Sequence, residues 1–559
     1  MVAVPPEGDA VASPLVPALR FDRRSAVTVA AALLPIVVAA IRLLAAHRAP
    51  LGDNGLIALR ANDVLTANHP WFGTWTSASL STGVDFNNPS PLHFDVLALF
   101  VKPFGIAAGA VLGAAFLNAM SVGVAIRQGF HFAARRGEMS MAIAAAALSF
   151  TLGSEMLADP WQPHNLVLPF FAVLACCVSL AAGRWSSAPW AVVLGSLVVG
   201  AHLSFTYVVL AVLAVSLVLA WRRSPEGRRR GVVLVTASVV IAWSQPVVEQ
   251  LFGSGRGNIG RVLQATGGDQ EPLGLQMGVR LVGQVLTSPP WWLRGSFTGA
   301  IPETGYSADG SLNPKGLLGV GWAAVGVAAL VSVLVVLCVR ALRRGRPAES
   351  ALLVVATTGV VAALATATVM PAGVLGLAPH QVRWLWPIGA LVWVALFDVL
   401  DLEVLRIRMS AMLRQRLAVG ALALLVVANV PSHLSNLGPY DSRAANDAIR
   451  SLIDQVEKSG LPGPTYFDGS NLVFAEPYSG PVLAALAEVG APIRAGDASF
   501  ARQLGENRRR RDDERFSLQV RSGAGATDLG AGESLLATAT GPEGVAVTVV
   551  LKDLSVSDA

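Results

Sequence analysis

Residues 49–73 read "APLGDNGLIALRANDVLTANHPWFG" and follow directly on an apolar run at 25–46. That run is long enough to cross a bilayer, which takes about 20 apolar residues. Its flank "RFDRR" and apolar centre resemble a secretory signal, but it is long for one and no cleavage site separates it from Asp53, so it reads as a retained anchor. The polar stretch is then the first segment to emerge on the far side of a membrane, and the question is why it carries two aspartates, an arginine and a histidine. A local reading is available. Asp53-Asn54-Gly55 caps a helix, Leu56, Ile57, Val64 and Leu65 give that helix an apolar face to lay along the membrane surface, and Arg60 with Asp63 forms an i,i+3 pair.

The rest of the chain supports the anchor. Of 559 residues, 53% are hydrophobic and 14% charged, where a soluble domain carries about 25% charged residues. Apolar runs at 25–46, 105–126, 139–152, 165–182, 189–201, 204–221, 231–245, 317–339, 351–369, 385–400 and 417–430 predict a polytopic α-helical protein of about eleven spans. Loop charge tests the count, because cytoplasmic loops hold the Lys and Arg excess. Alternate loops read "RQGFHFAARRG", "GRWSSAP", "RRSPEGRRR", "RALRRGRPAES" and "DLEVLRIRMSAMLRQR", all basic like the N-terminus, provided the block 189–221 is split near "AHLSFTY". Residues 1–24 are then cytoplasmic, the membrane part runs 25–430, and the loops 48–104, 154–164, 246–315 and 370–384 face outward. The formal charge of +5 is accounted for by these topology-setting clusters and not by a nucleic-acid surface. The three cysteines, Cys176, Cys177 and Cys338, all fall in apolar runs, which excludes a disulfide framework and a cysteine zinc site.

From 431 to 559 the composition changes to that of a small α/β unit on the outer side. "SRAANDAIRSLIDQVEKSG" has helical periodicity and a Gly stop, "GPVLAALAEVG" is a second helix, and "PTYFDG", "APIRAG", "RFSLQVRSG" and "VAVTVVLKD" read as strands. The run "NRRRRDDER" alternates in sign and reads as a solvated face.

The outward loops gather the chemistry-bearing side chains. "GVDFNNPSPLHFD" offers Asp85, His93 and Asp95, and "SEMLADPWQPHN" offers Glu155, Asp159, Trp161 and His164. Carboxylates bind sugar hydroxyls and an indole packs on a sugar ring, although an aromatic belt accounts equally for Trp161, Trp291, Trp292 and Trp384. "APHQVRWLWP" sets His380 and Arg383 at the mouth of a span, where a guanidinium suits a phosphate and interfacial snorkelling is the competing reading. Arg294 in "SPPWWLRGS" is a weaker second candidate. The chain lacks a GxxxxGK[ST] loop, HExxH and CxxC, and "GSGRGN" follows a span, not a strand, so a nucleotide-dependent enzyme is unsupported.

The blocks "LGDNGLIALRANDVL", "HPWFGT", "PSPLHFDVLALF", "DPWQPHNLVLPF" and "RWLWPIGA", with the acidic first outer loop and the outward α/β tail, resemble the GT-C superfamily of integral membrane glycosyltransferases. The resemblance is to the polyprenyl-phosphate-sugar-dependent enzymes of actinobacterial cell-envelope assembly. It implies a GT-C-like bundle and an inverting transfer of a pentose or hexose, of arabinose or mannose type, from a polyprenyl-phosphate donor to a cell-envelope glycan or glycolipid, at the outer face of a plasma membrane. It implies Asp53 as general base, Arg383 with His380 on the departing phosphate, and Asp63, His93, Glu155, Asp159, Trp161 and His164 around sugar and acceptor. Family members often carry an acidic pair where this chain has Asp53-Asn54, so no cofactor is required; a divalent cation bridging Asp53 to Asp159 or Glu155 is compatible with the sequence. The alternative is a transporter or flippase of a lipid-linked sugar, against which stand the missing internal repeat and the gathering of acids in outer loops.

Overall fold

The computed structural model describes residues 22–253, 255–266, 271–287, 289–293, 301, 304–307, 312–373, 376–434, 443–472 and 476–556. In chain order the principal helices are α1 Arg23–Ala45, α2 Asp53–Asn62, α3 Leu92–Phe104, α4 Ile106–Leu152, α5 Val167–Ala181, α6 Ala188–Ala201, α7 Thr206–Arg223, α8 Arg228–Phe252, α9 Gly274–Leu286, α10 Val320–Arg343, α11 Pro347–Val369, α12 Leu385–Leu400 and α13 Ala411–Ala428, followed in the tail by α14 Arg443–Ser459, α15 Ser479–Glu488 and α16 Ala498–Leu504. Among the described residues eight helices are long and apolar enough to cross a membrane. One of them, α4, is two: the helix breaks at Ala133 (φ −141°, ψ 25°) and Ala134 (φ 50°, ψ −137°) and doubles back, in the middle of the basic loop that the sequence marked as a turn. With that division and the shorter apolar helices α6 and α12, the bundle has the predicted number of spans.

The core follows from composition. Helix α5 is apolar on every side and all of its residues are buried, as a helix without a polar face must be; α4, α6, α7, α11 and α12 surround it. The basic loops converge at one end. Arg136 meets Asp398 at 2.9 Å, Arg340 and Arg346 meet Glu403 at 2.6 and 2.7 Å, and Arg414 meets Asp401 at 2.7 Å. Asp398 is buried at that end.

Two segments read from sequence as lying outside the bundle depart from expectation. The stretch read as an outward loop contains α9, which packs into the bundle against α10, α11 and α12; at thirteen residues it is too short to span and too amphipathic to stand out in a hydropathy scan. Helix α2 does not lie on a membrane surface. It is sandwiched between α3 and α15, and Ile57 and Leu59 join Phe94 and the tail's Leu452, Leu483 and Leu518 in one core.

The tail forms a five-stranded sheet of order β2-β1-β3-β5-β4, with β1 Thr465–Phe467, β2 Ile493–Ala495, β3 Phe516–Ser522, β4 Glu533–Thr540 and β5 Ala546–Asp553. β1 runs parallel to both neighbours, and β5 antiparallel to β3 and β4. Four strands were legible in the sequence. β4, "ESLLATAT", was not: as a half-exposed edge strand it shows no clean alternation. Its outer edge is closed by Gln455 of α14, which exchanges two hydrogen bonds with Thr538, at 2.7 and 3.1 Å.

Candidate active site

The site is built where α2 begins, beside the turn that precedes α5. Gly52, with φ 52°, is the residue before the helix and Asp53 is its first residue, so Asp53 is not the cap the sequence suggested. Its carboxylate is therefore free to point sideways. Trp161 donates its indole N–H to Asp53 Oδ2 at 3.1 Å. The same indole meets the His164 ring edge-on at 4.8 Å between centroids and the His380 ring at 5.0 Å. Trp161 is thus a strut linking the base candidate to the 3-10 turn Pro379–Val382, next to Arg383.

A second carboxylate is held alongside. Asp159 accepts from Asn54 Nδ2 at 2.6 Å and from Trp161 N at 3.3 Å, and pairs with His164 Nδ1. Asn54, a departure from the acidic pair of the resembled family, is the residue that joins the two acidic segments.

Charge in the site is graded. The Asp53 carboxyl is raised above the ordinary Asp value, first by the protein mass around it, against the pull of the Trp161 hydrogen bond, with the charges of Asp159 and Glu476 raising it further. The residue itself is exposed, so solvent moderates the rise. His380 is pushed down to about 3 by burial and then by His202, His164 and Arg383, which makes it a neutral imidazole at neutral pH. Arg383 is fully buried; it faces the Trp386 ring at 5.8 Å and reaches Met156 Sδ at 3.5 Å. Interfacial snorkelling is excluded by that burial. Trp384 and Trp292 are buried as well, so neither belongs to an aromatic belt.

The remaining candidates lie in other surroundings. Asp63 is bound by Arg60 at 2.6 Å and by Arg508 at 2.5 and 2.7 Å, so part of the "NRRRRDDER" run docks on α2 instead of facing solvent. His93 is 2% exposed and meets Asn165 at 3.1 Å. Glu155 pairs with Arg48 at 3.4 Å and Arg42 at 3.6 Å, on the wall of a cavity of about 50 Å³ shared with Asn54 and Asp159. That volume admits water and not a pyranose. Arg294 lies outside the described residues. Among the described residues no three His, Cys, Asp or Glu side chains form a metal-holding group.

Two residues near the site were not singled out from sequence. His202, at the turn between α6 and α7, is near enough to lower the His380 pKa; it lies in the "AHLSFTY" stretch at which the sequence divides the 189–221 block, which was the available signal. Glu476 comes from the tail, where it accepts from the Tyr478 and Ser479 amides at 2.7 and 3.1 Å, and no local pattern ties it to Asp53.

No family model matches the chain, and no curated protein matches it. Among solved structures it is similar to the crystal structure of ArnT from Cupriavidus metallidurans bound to undecaprenyl phosphate, at 15% identity over 95% of this chain and 98% of that one, with a TM-score of 0.55. It is also similar to ArnT from the same organism in the apo state, at 14% identity over 94% and 98%, with a TM-score of 0.51. The likeness extends over nearly the whole length of both chains. The fold is a helical bundle similar to that of ArnT, with a small C-terminal sheet unit.

Proposed function

We propose that the chain is an inverting membrane glycosyltransferase, which moves a sugar from a polyprenyl-phosphate donor to a hydroxyl of a cell-envelope glycan or glycolipid. The observation that carries this reading is the Trp161 strut: one indole ties the Asp53 carboxylate to the turn that bears His380 and leads into Arg383. On this reading Asp53 and Arg383 act together as base and fixed cation, and the reading is supported by a fold similar to that of a protein solved with undecaprenyl phosphate.

The chemistry needs little else. The acceptor hydroxyl attacks the anomeric carbon from the face opposite the phosphate, its proton passes to Asp53, and the C–O bond to phosphate breaks with its electron pair on the phosphate oxygen. Arg383 stabilises that charge from a buried position, where a fixed guanidinium acts most strongly. His380 is neutral and contributes a hydrogen bond, not a charge. Asp159 and His164 hold Asn54 and Trp161, and so the base, in register. The reaction is drawn without a metal; Asp53 and Asp159 are each engaged by neutral donors. Arabinose and mannose are the sugar types we favour. Following the loop charges, the Asp53 end faces the outer side of the plasma membrane and the basic end the cytoplasm.

Purified protein in nanodiscs, given a panel of polyprenyl-phosphate pentoses and hexoses with glycan acceptors, should yield a product one sugar heavier, with and without EDTA. Donor binding with no product from any acceptor would sink the enzyme reading in favour of transport.

A further inference from the structure

The helix that carries Asp53 has no core of its own. Ile57 and Leu59 are buried in a core shared with Phe94 and with Leu452, Leu483 and Leu518 of the tail. Contact is closest around Asp53 itself. The Gly52 amide donates to the Pro477 carbonyl at 3.0 Å. A Cβ added to Gly55 would overlap the Gly480 carbonyl carbon and the Pro481 nitrogen, and one added to Gly480 would overlap the Gly52 carbonyl oxygen. These are backbone atoms, so no side chain can swing aside to make room. Asp53 lies between the two glycines that make the contact, Gly52 just before α2 and Gly55 within it. The grip continues on either side, where Asn446 accepts from the Ala49 amide at 2.8 Å and Arg508 takes Asp63 with two bonds.

We infer that Gly480, in the C-terminal unit, is a positioning residue for Asp53: its backbone contact with Gly52 and Gly55 sets the height of α2 and so the place of the carboxylate over the Trp161 indole. The inference rests on the reading of Asp53 as the base. A methyl at position 480 must move α2 by on the order of 1 Å, and a misplacement of that size costs about 100-fold in rate. The tail is then half of the mount of the catalytic base, and no change within the cleft is needed to disable it.

The test uses the full chain in nanodiscs with three variants: Gly480→Ala, Arg508→Lys, and as control Gly420→Ala, whose added methyl meets nothing within 4 Å. Three quantities are read: kcat and donor KM, binding of undecaprenyl phosphate, and hydrogen exchange of residues 52–62. For Gly480→Ala we expect kcat down about 100-fold with donor KM and lipid binding within about threefold, and faster exchange confined to 52–62. Unchanged kcat and exchange would overturn the inference, as would loss of lipid binding and protection throughout the chain, which marks a general folding defect. Should Gly480→Ala fail to fold, Arg508→Lys decides: it keeps the charge but not the fork on Asp63, and faster exchange at 52–62 with a drop of about fivefold in kcat supports the mount, whereas no change at either readout overturns it. If the wild type transfers no sugar, the reading of Asp53 as base falls, while exchange at 52–62 still decides whether Gly480 positions the helix.

Discussion

The two ends of the helical bundle use charge in opposite ways. At the basic end carboxylates are held by arginines: Asp398 meets Arg136, Glu403 meets Arg340 and Arg346, and Asp401 meets Arg414. At the other end Asp53 is held by an indole, and Asp159 by an amide and an imidazole. An ion pair fixes two chain segments and cancels the charges that fix them. A neutral donor orients a carboxylate and leaves it able to take a proton. The same end shows both uses side by side, since Asp63 is neutralised by Arg60 and Arg508 and serves to dock the tail. On the proposed reading, the difference separates structural acids from reactive ones more sharply than location in an outer loop does.

The comparison is broken most directly by turning an acid into its amide at each end. Asp53→Asn is expected to lower kcat by about 1,000-fold, within the range for loss of a general base, with undecaprenyl-phosphate binding retained; Asp398→Asn should leave transfer unchanged and lower the melting temperature. Equal losses of transfer in the two variants, measured by product mass, would erase the distinction. Arg383→Lys comes next. The charge stays but the planar fork is lost, and kcat should fall about 100-fold with weaker lipid binding in a titration. Trp161→Phe keeps the ring and removes the N–H, so kcat should fall about tenfold. Its pH profile carries a sign. Asp53 must be ionised to act, so the rate is lost as pH falls through its raised pKa; because the Trp161 bond lowers that pKa, removing it moves the acid limb of kcat to higher pH. An unmoved limb would detach Trp161 from the base. The smallest effect belongs to Arg340→Ala, a half-exposed partner of Glu403, expected to cost about 0–1 kcal/mol in chemical denaturation with kcat intact.

Much of this was readable in advance, and for physical reasons. Membrane spans declare themselves by length and by the charge of the loops between them, so even the reversal at Ala133–Ala134, hidden inside one continuous helix, was announced by "RQGFHFAARRG". Outer-loop membership brought Asp53, Asp159, Trp161, His164, His380 and Arg383 together before any coordinates did. What the sequence withheld depends on contacts far along the chain. The burial of Arg383, the capture of Asp63 by Arg508 and the approach of Gly480 to Gly55 leave no local pattern, because each is made by segments hundreds of residues apart. The short helix α9 and the edge strand β4 were missed for another reason: one is too short and the other too polar on its open face for periodicity to stand out.

A single displacement assisted by Asp53 fixes the configuration of the product at the transferred sugar's anomeric carbon. With a donor of defined configuration, NMR of the purified product should show inversion. Retention would require a covalent sugar–enzyme intermediate, with a carboxylate attacking as nucleophile instead of accepting a proton, and would contradict the account.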